Sequence, residues 1–177
     1  LGVIVATFIV PFETFAVPLL LMVSRLPWIG IEGLKQGWIN SYHVQIIPFL
    51  ADAFSIFLFV QFFKSLPRDL IEAARIDGAS WFQIYRRVIV PVSGPVFATA
   101  AILRFQTMWN QYLWPLMTVQ EERFRPVMVG LQYFFQLDIA WGEVMAYLST
   151  ITIPVLIIFL ALQRAFIESI ASTGIKG

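Results

Sequence analysis

An all-α polytopic membrane helix bundle is the fold this sequence predicts, on three observations. Hydrophobic residues make up 59% of the chain against 13% charged, with a mean hydropathy of +0.78, which is too apolar for a soluble domain. Apolar runs recur at 1–23, 44–63, 92–116 and 144–162, each near the ~20 residues a helix needs to cross the hydrocarbon of a bilayer. Between the second and third runs lies a polar stretch, 65–91, that reads as two short helices meeting at a corner. The expectation is one transmembrane domain over 1–177 with four spanning helices.

In the first run, Pro11 and Pro18 read as kinks, tolerated where neighbours or water satisfy the freed carbonyls, and Glu13 falls near the middle. The loop that follows, 24–42, carries Pro27, Trp28, Gly30, Gly33, Gly37 and Trp38; tryptophans in such a loop settle at headgroup level. The single histidine, His43, ends it and reads as an interfacial side chain. Pro48 stands near the start of the second run and Asp52 inside it. The third run carries Arg104, Gln106 and Asn110 and closes on Trp109, Tyr112 and Trp114, which read as an interfacial belt. A mixed loop, 120–141, is expected to hold a short helix. The fourth run is the most uniformly apolar, broken only by Pro154, and Gln163, Arg164 and the tail are expected to leave it. The chain starts inside an apolar run without Met or a leader pattern, so it reads as the later part of a longer protein.

The polar stretch has its own punctuation. Ser65 and Pro67 suit a helix start, Ser as an acceptor for a first-turn amide and Pro because it lacks one. Gly78 suits the stop, since glycine enters the left-handed conformation without a Cβ penalty. Ser80 with Gln83 has the spacing of a capping box that restarts the helix. Ala73 and Ala74 lie where a second backbone could approach closely, flanked by Glu72 and Arg75 at the i, i+3 spacing of a modest surface pair.

Ionisable residues inside apolar runs are the other candidates. A charge at the bilayer centre costs about 2.5–3.5 kcal/mol on insertion scales, so Glu13, Asp52 and Arg104 should face a bundle interior or a watery path. Asp52 and Arg104 fall at similar depth and are expected to pair between the second and third spans. Such a pair serves either a translocation path or helix register alone. Asn110 is a further path candidate, able to hydrogen-bond solute hydroxyls.

Several classes are excluded. With no cysteine and one histidine, disulfides, thiolate metal sites and familiar histidine centres have too few ligands. There is no phosphate-cradling Gly-x-x-x-x-Gly-Lys-Ser/Thr, no Gly-x-Ser-x-Gly elbow and no His-Glu-x-x-His, so no catalytic residue, metal or cofactor is expected. A net charge of +1 with dispersed basic residues gives no nucleic-acid signal.

Glu72-Ala73-Ala74, three residues, Gly78, nine residues, then Val88-Ile89-Val90-Pro91 resembles the E-A-A loop of permease subunits of ATP-binding-cassette (ABC) importers. There Ile-x-Leu-Pro usually closes the motif, and only Val88 and Val90 depart, conservatively. The flanks Ala74-Arg75-Ile76-Asp77-Gly78-Ala79-Ser80 and Trp109-Asn110-Gln111-Tyr112-Leu113-Trp114-Pro115-Leu116 look like the carbohydrate-importer branch.

The resemblance implies six spans where this chain shows four, a cytoplasmic coupling role for Glu72, Ala73, Ala74, Asp77, Gly78 and Pro91, and partners. These are a cytoplasmic ATPase dimer that hydrolyses ATP in place of this chain, a second and usually different permease subunit, an extracytoplasmic solute-binding protein and membrane lipid. It also implies a bacterial or archaeal inner membrane. Relatives usually carry an uncharged residue at the position of Arg104, so a charge there points to an acidic or phosphorylated sugar. Lys64, Arg68, Arg75, Arg86 and Arg87 lie at the corner, and Arg164 and Lys176 near the chain's end, against Arg25, Lys35, Arg123 and Arg125 in the opposite loops. By the positive-inside rule this puts corner and C-terminus in the cytoplasm. A membrane scaffold or passive channel, or a permease of another importer branch, stays open as an alternative.

Overall fold

The structure, a computed structural model, describes residues 2–30, 33–135 and 139–174. It is mostly helical. Helices α1 (Gly2–Ile9) and α2 (Phe12–Val23) lead into a hairpin of β1 (Pro27–Gly30) and β2 (Gly33–Gln36), followed by α3 (Tyr42–Phe49) and α4 (Ala53–Ser65). The corner is α5 (Arg68–Ile76) and α6 (Trp81–Val92); then come α7 (Gly94–Trp109), α8 (Leu113–Thr118), α9 (Val127–Gly130) and α10 (Trp141–Gly174).

The helices break where the sequence supplies a reason that hydropathy hides. The 1–23 run, expected as one span with kinks, divides at Val10 and Pro11. Pro11 is extended at φ −61°, ψ 141°, and a residue before proline is pushed out of the helical region by the ring. Pro18, by contrast, is held inside α2. Between α3 and α4 the chain bends by 40°. Asp52, expected inside the span, is extended there, and its carboxylate accepts the Ser55 amide at 2.9 Å as the N-cap of α4.

Ser65 does not start α5. It is the last residue of α4, its hydroxyl donating to the Phe62 carbonyl at 2.7 Å, and Pro67 alone caps the next helix. The third run starts later and ends earlier than expected, at Gly94 and Trp109. Asn110 donates both its amide and its Nδ2 to the Gln106 carbonyl, at 3.1 and 2.8 Å, and closes the helix before α8 begins. At the far end the backbone stays helical past Gln163, to Gly174, as a stretch without proline allows.

Packing follows chain order: α1 lies along α4, α4 against α7, and α7 along α10. Asp52 meets Arg104 and Phe59 meets Phe97. Moving seven residues forward on α4 thus moves seven back on α7, so the two helices run antiparallel and the corner lies at the end opposite that ion pair. At the other end α8 packs on α2 and α3. Its core is Val23, Val44, Trp114 and Val119, all buried, with Phe12, Leu19 and Phe49 against them.

Trp114 is fully buried and donates its indole N–H to the Val44 carbonyl at 2.8 Å, so it is a core residue rather than part of an interfacial belt. The hairpin pairs antiparallel, Pro27 opposite Gln36 and Gly30 opposite Gly33, a local exception to an otherwise helical fold. Gly37 ends it at φ +85°, where a Cβ would come within 2.9 Å of the Ser24 carbonyl oxygen. His43 ends the loop against Trp28, their ring centroids 4.5 Å apart.

Among the described residues one continuous helix is long and apolar enough to cross a membrane, Trp141–Ala161, and only 11% of its most apolar window is buried within the chain. Counting each bent pair, α3 with α4 and α6 with α7, as one span gives up to three; α2 is apolar but shorter.

Candidate functional site

Two places carry candidate residues, and the first is the corner. Helix α5 is strongly amphipathic with no buried residue, Asp69 in its first turn and Arg75 in its last, matching the helix dipole at both ends. It terminates in a Schellman arrangement: the Gly78 amide donates to the Arg75 carbonyl at 3.0 Å and the Ala79 amide to the Ala74 carbonyl at 3.0 Å. Gly78 takes φ +78° to make this turn, and nothing lies within 4 Å of where a Cβ would stand. Its requirement is therefore backbone conformation alone.

Ser80 restarts the chain with a complete capping box, its Oγ accepting the Gln83 amide at 3.4 Å and its own amide donating to Gln83 Oε1 at 2.7 Å. A π-helical turn, Tyr85–Ile89, then carries α6 toward Pro91. The Arg75 guanidinium sits 5.0 Å from the centroid of the Trp81 ring, bridging the two helices.

The side chains at this corner are turned out. Ile76, Trp81 and Phe82 are 86%, 67% and 69% exposed, and Glu72, Ala73, Asp77, Gly78 and Pro91 are exposed beside them, with Ala74 partly covered. Large apolar side chains thus stand exposed among charges at the helix turn. The sequence pointed to Glu72, Ala73, Ala74, Asp77, Gly78 and Pro91. It gave no role to Ile76, Trp81 or Phe82.

The second place is a cavity of about 590 Å³ between α1, α2, the bend before α4, and the latter part of α7. Arg104 and Asp52 both line it, Nη1 and Oδ2 3.7 Å apart and the side chains 27% and 29% exposed. Arg104 Nη2 also donates to the Phe49 carbonyl, tying α7 to the end of α3. Phe12, Phe15 and Phe49 supply apolar wall, and Thr7, Ser55, Gln106 and Thr107 add polar groups.

The other two path candidates stand apart. Glu13 lies in the first turn of α2, exposed and outside the lining, and Asn110 is exposed with its side chain spent on the Gln106 carbonyl. Thr107 went unremarked in sequence although it is three residues from Arg104, hence on the same helix face.

The chain is similar to known proteins in sequence and in fold. The profile of the family described as binding-protein-dependent transport system inner membrane component matches residues 1–172. The sn-glycerol-3-phosphate transport system permease protein UgpE of Salmonella typhi is 37% identical over 146 residues, covering 81% of this chain and 51% of that protein. The trehalose/maltose transport system permease protein MalG of Thermococcus litoralis is 33% identical, covering 87% of this chain and 59% of that protein. The lactose transport system permease protein LacG of Rhizobium radiobacter is 32% identical over 94% of this chain and 58% of its own length.

Among solved structures, a chain of a bacterial ABC transporter involved in the import of the acidic polysaccharide alginate superposes with a TM-score of 0.72 at 25% identity, covering 93% of this chain and 60% of that one. The chain spans about half the length of the curated relatives it matches. With a helical fold, a membrane-type apolar surface and relatives that are permease subunits of sugar-type importers, the chain belongs to the binding-protein-dependent transport system inner membrane component family.

Proposed function

We propose that this chain forms half of the translocation path of an ATP-driven importer for a sugar or related polar solute, and that the 65–91 corner couples it to a separate ATPase. The observation that carries the coupling role is the exposed apolar cluster Ile76, Trp81 and Phe82 on a corner capped at both sides of Gly78. A rigid corner transmits motion; a flexible one absorbs it. ATP closes the ATPase dimer, the docked corner moves with it, and the spans rock so that the path opens alternately to either face.

The partners in this reading are the cytoplasmic ATPase dimer, a second permease chain of different sequence, an extracytoplasmic solute-binding protein and lipid. The four apolar runs act as spans, with corner and C-terminus on the cytoplasmic side. Relatives named for glycerol 3-phosphate, trehalose/maltose and lactose support a carbohydrate-type solute.

Exchanging Trp81 for Asp in the full-length chain tests this. The expected result is loss of co-purification of the ATPase, with the chain still inserted and still joined to the second permease. Undiminished co-purification and undiminished ATP-driven uptake would favour a scaffold whose corner meets something else.

A further inference from the structure

The cavity contains one feature that a path for neutral sugars does not need. Its polar lining could meet hydroxyls through Thr7, Ser55, Gln106 and Thr107 without any charge, yet a guanidinium stands at its wall. Among the described residues that line it, Arg104 is the one cation and Asp52 the one anion.

Their contact is loose. At 3.7 Å, beyond hydrogen-bond distance, with both side chains more than a quarter uncovered within the chain, it is a contact of charges without the paired hydrogen bonds of a close Arg–carboxylate fork. Asp52 also has other employment, since its Oδ1 caps α4 through the Ser55 amide at 2.9 Å, where the positive end of a 13-residue helix faces it. Losing Arg104 therefore leaves Asp52 still served. One prong of the guanidinium, Nη2, is held by the Phe49 carbonyl, which orients the fork and leaves Nη1, the prong beside Asp52, to meet the cavity. A fork of this geometry binds a carboxylate or phosphate through paired, charge-assisted hydrogen bonds better than it binds a single distant oxygen.

We propose that the cavity takes an anionic sugar-like solute, its carboxylate or phosphate replacing Asp52 on Arg104 while the aromatic and hydroxyl-bearing walls meet the rest. Asp52 then acts as the resting counter-ion of an otherwise empty path. This rests on reading the chain as an importer's permease subunit. It makes Arg104 a specificity-determining residue, with Asp52 its competitor.

The test is uptake by membranes carrying the full-length chain with its partner subunits and binding protein. Three probes are offered separately: sn-glycerol 3-phosphate, digalacturonate and maltose. The proposal expects uptake of at least one anionic probe and a ratio of anionic to maltose uptake that falls tenfold or more in Arg104→Gln. Arg104→Lys should restore only part of that ratio, because the cation returns without the fork. Asp52→Asn should lower the KM for the anionic probe severalfold by removing the competitor.

A purely structural role for Arg104 would depress all probes together and leave the ratio unchanged, which overturns the proposal. Uptake of maltose alone by the native complex also overturns it, while leaving the permease reading standing. Absence of ATP-driven uptake of every probe overturns the proposal, and the permease reading fails with it only where the ATPase also does not co-purify with the chain. The phosphate and carboxylate arms separate a sugar phosphate from a uronate.

Discussion

Gly78 and Trp114 show how single residues hold this fold from opposite directions. At Gly78 the surroundings are open but the backbone sits at φ +78°, so a substitution pays through conformation, about 1–2 kcal/mol for a β-branched residue in that region. Gly78→Val is expected to destabilise the corner by that amount and to reduce ATP-driven uptake, with Gly78→Asn milder, because asparagine tolerates the left-handed region. Uptake rates for the two variants at equal membrane abundance check this.

At Trp114 the reverse holds: the backbone is ordinary and the side chain is enclosed, its N–H on the Val44 carbonyl. Trp114→Phe keeps most of the ring but leaves that carbonyl unpaired, at a cost of about 1–3 kcal/mol. The melting temperature of the purified full-length complex should fall. The stop at Gly78 was readable because glycine has few alternative reasons to stand between two capping signals. The burial of Trp114 was not, because a tryptophan near a span's end carries the same sequence signature in a headgroup belt as in a core.

At the scale of elements, the corner was written locally and the breaks between helices were not. Ser80, three residues before Gln83, dictates a capping box from spacing alone, and the box forms. Ser80→Ala should cost about 1 kcal/mol of α6 stability, seen as faster amide hydrogen exchange at Trp81 to Gln83, while exchange within α10 stays unchanged.

Hydropathy averaged over twenty residues passes smoothly across Pro11, Asp52 and Asn110, where the structure interrupts the helix. Each interruption rests on one side chain's competition with the backbone, a proline ring or an oxygen or amide that takes a helical partner's place. Such terms are smaller than the apolar signal around them. Ser65 failed as a helix start for the same reason: its hydroxyl had a carbonyl within its own helix to bond.

At the scale of the whole molecule, the described chain keeps little of its apolar surface to itself. The most apolar window of the stretch Trp141–Ala161 is 11% buried, so its surroundings must be lipid or another chain, since in a bilayer only the backbone needs internal partners. Ile153, just over half exposed near the middle of that stretch, is the place to test it. Ile153→Arg should reduce membrane insertion of α10 by an amount matching about 2.5–3.5 kcal/mol, read from the glycosylated fraction in an insertion assay.

The fold class and the corner were legible because both rest on patterns of residue type along one segment. The cavity was half legible: Asp52 and Arg104 were paired by depth, but Glu13 and Asn110 were not excluded, because which way a side chain faces depends on where helices break.

Docking of the corner on a moving ATPase can be measured directly. The sequence has no cysteine, and Ala73 is exposed on α5, so a Cys at Ala73 in the full-length chain provides one thiol in this stretch. Cross-linking from it to the ATPase in native membranes, with and without ATP, is the direct measurement. The account predicts a cross-link whose yield changes with nucleotide. No cross-link from Ala73, nor from the neighbouring Glu72 and Asp77, would rule such docking out.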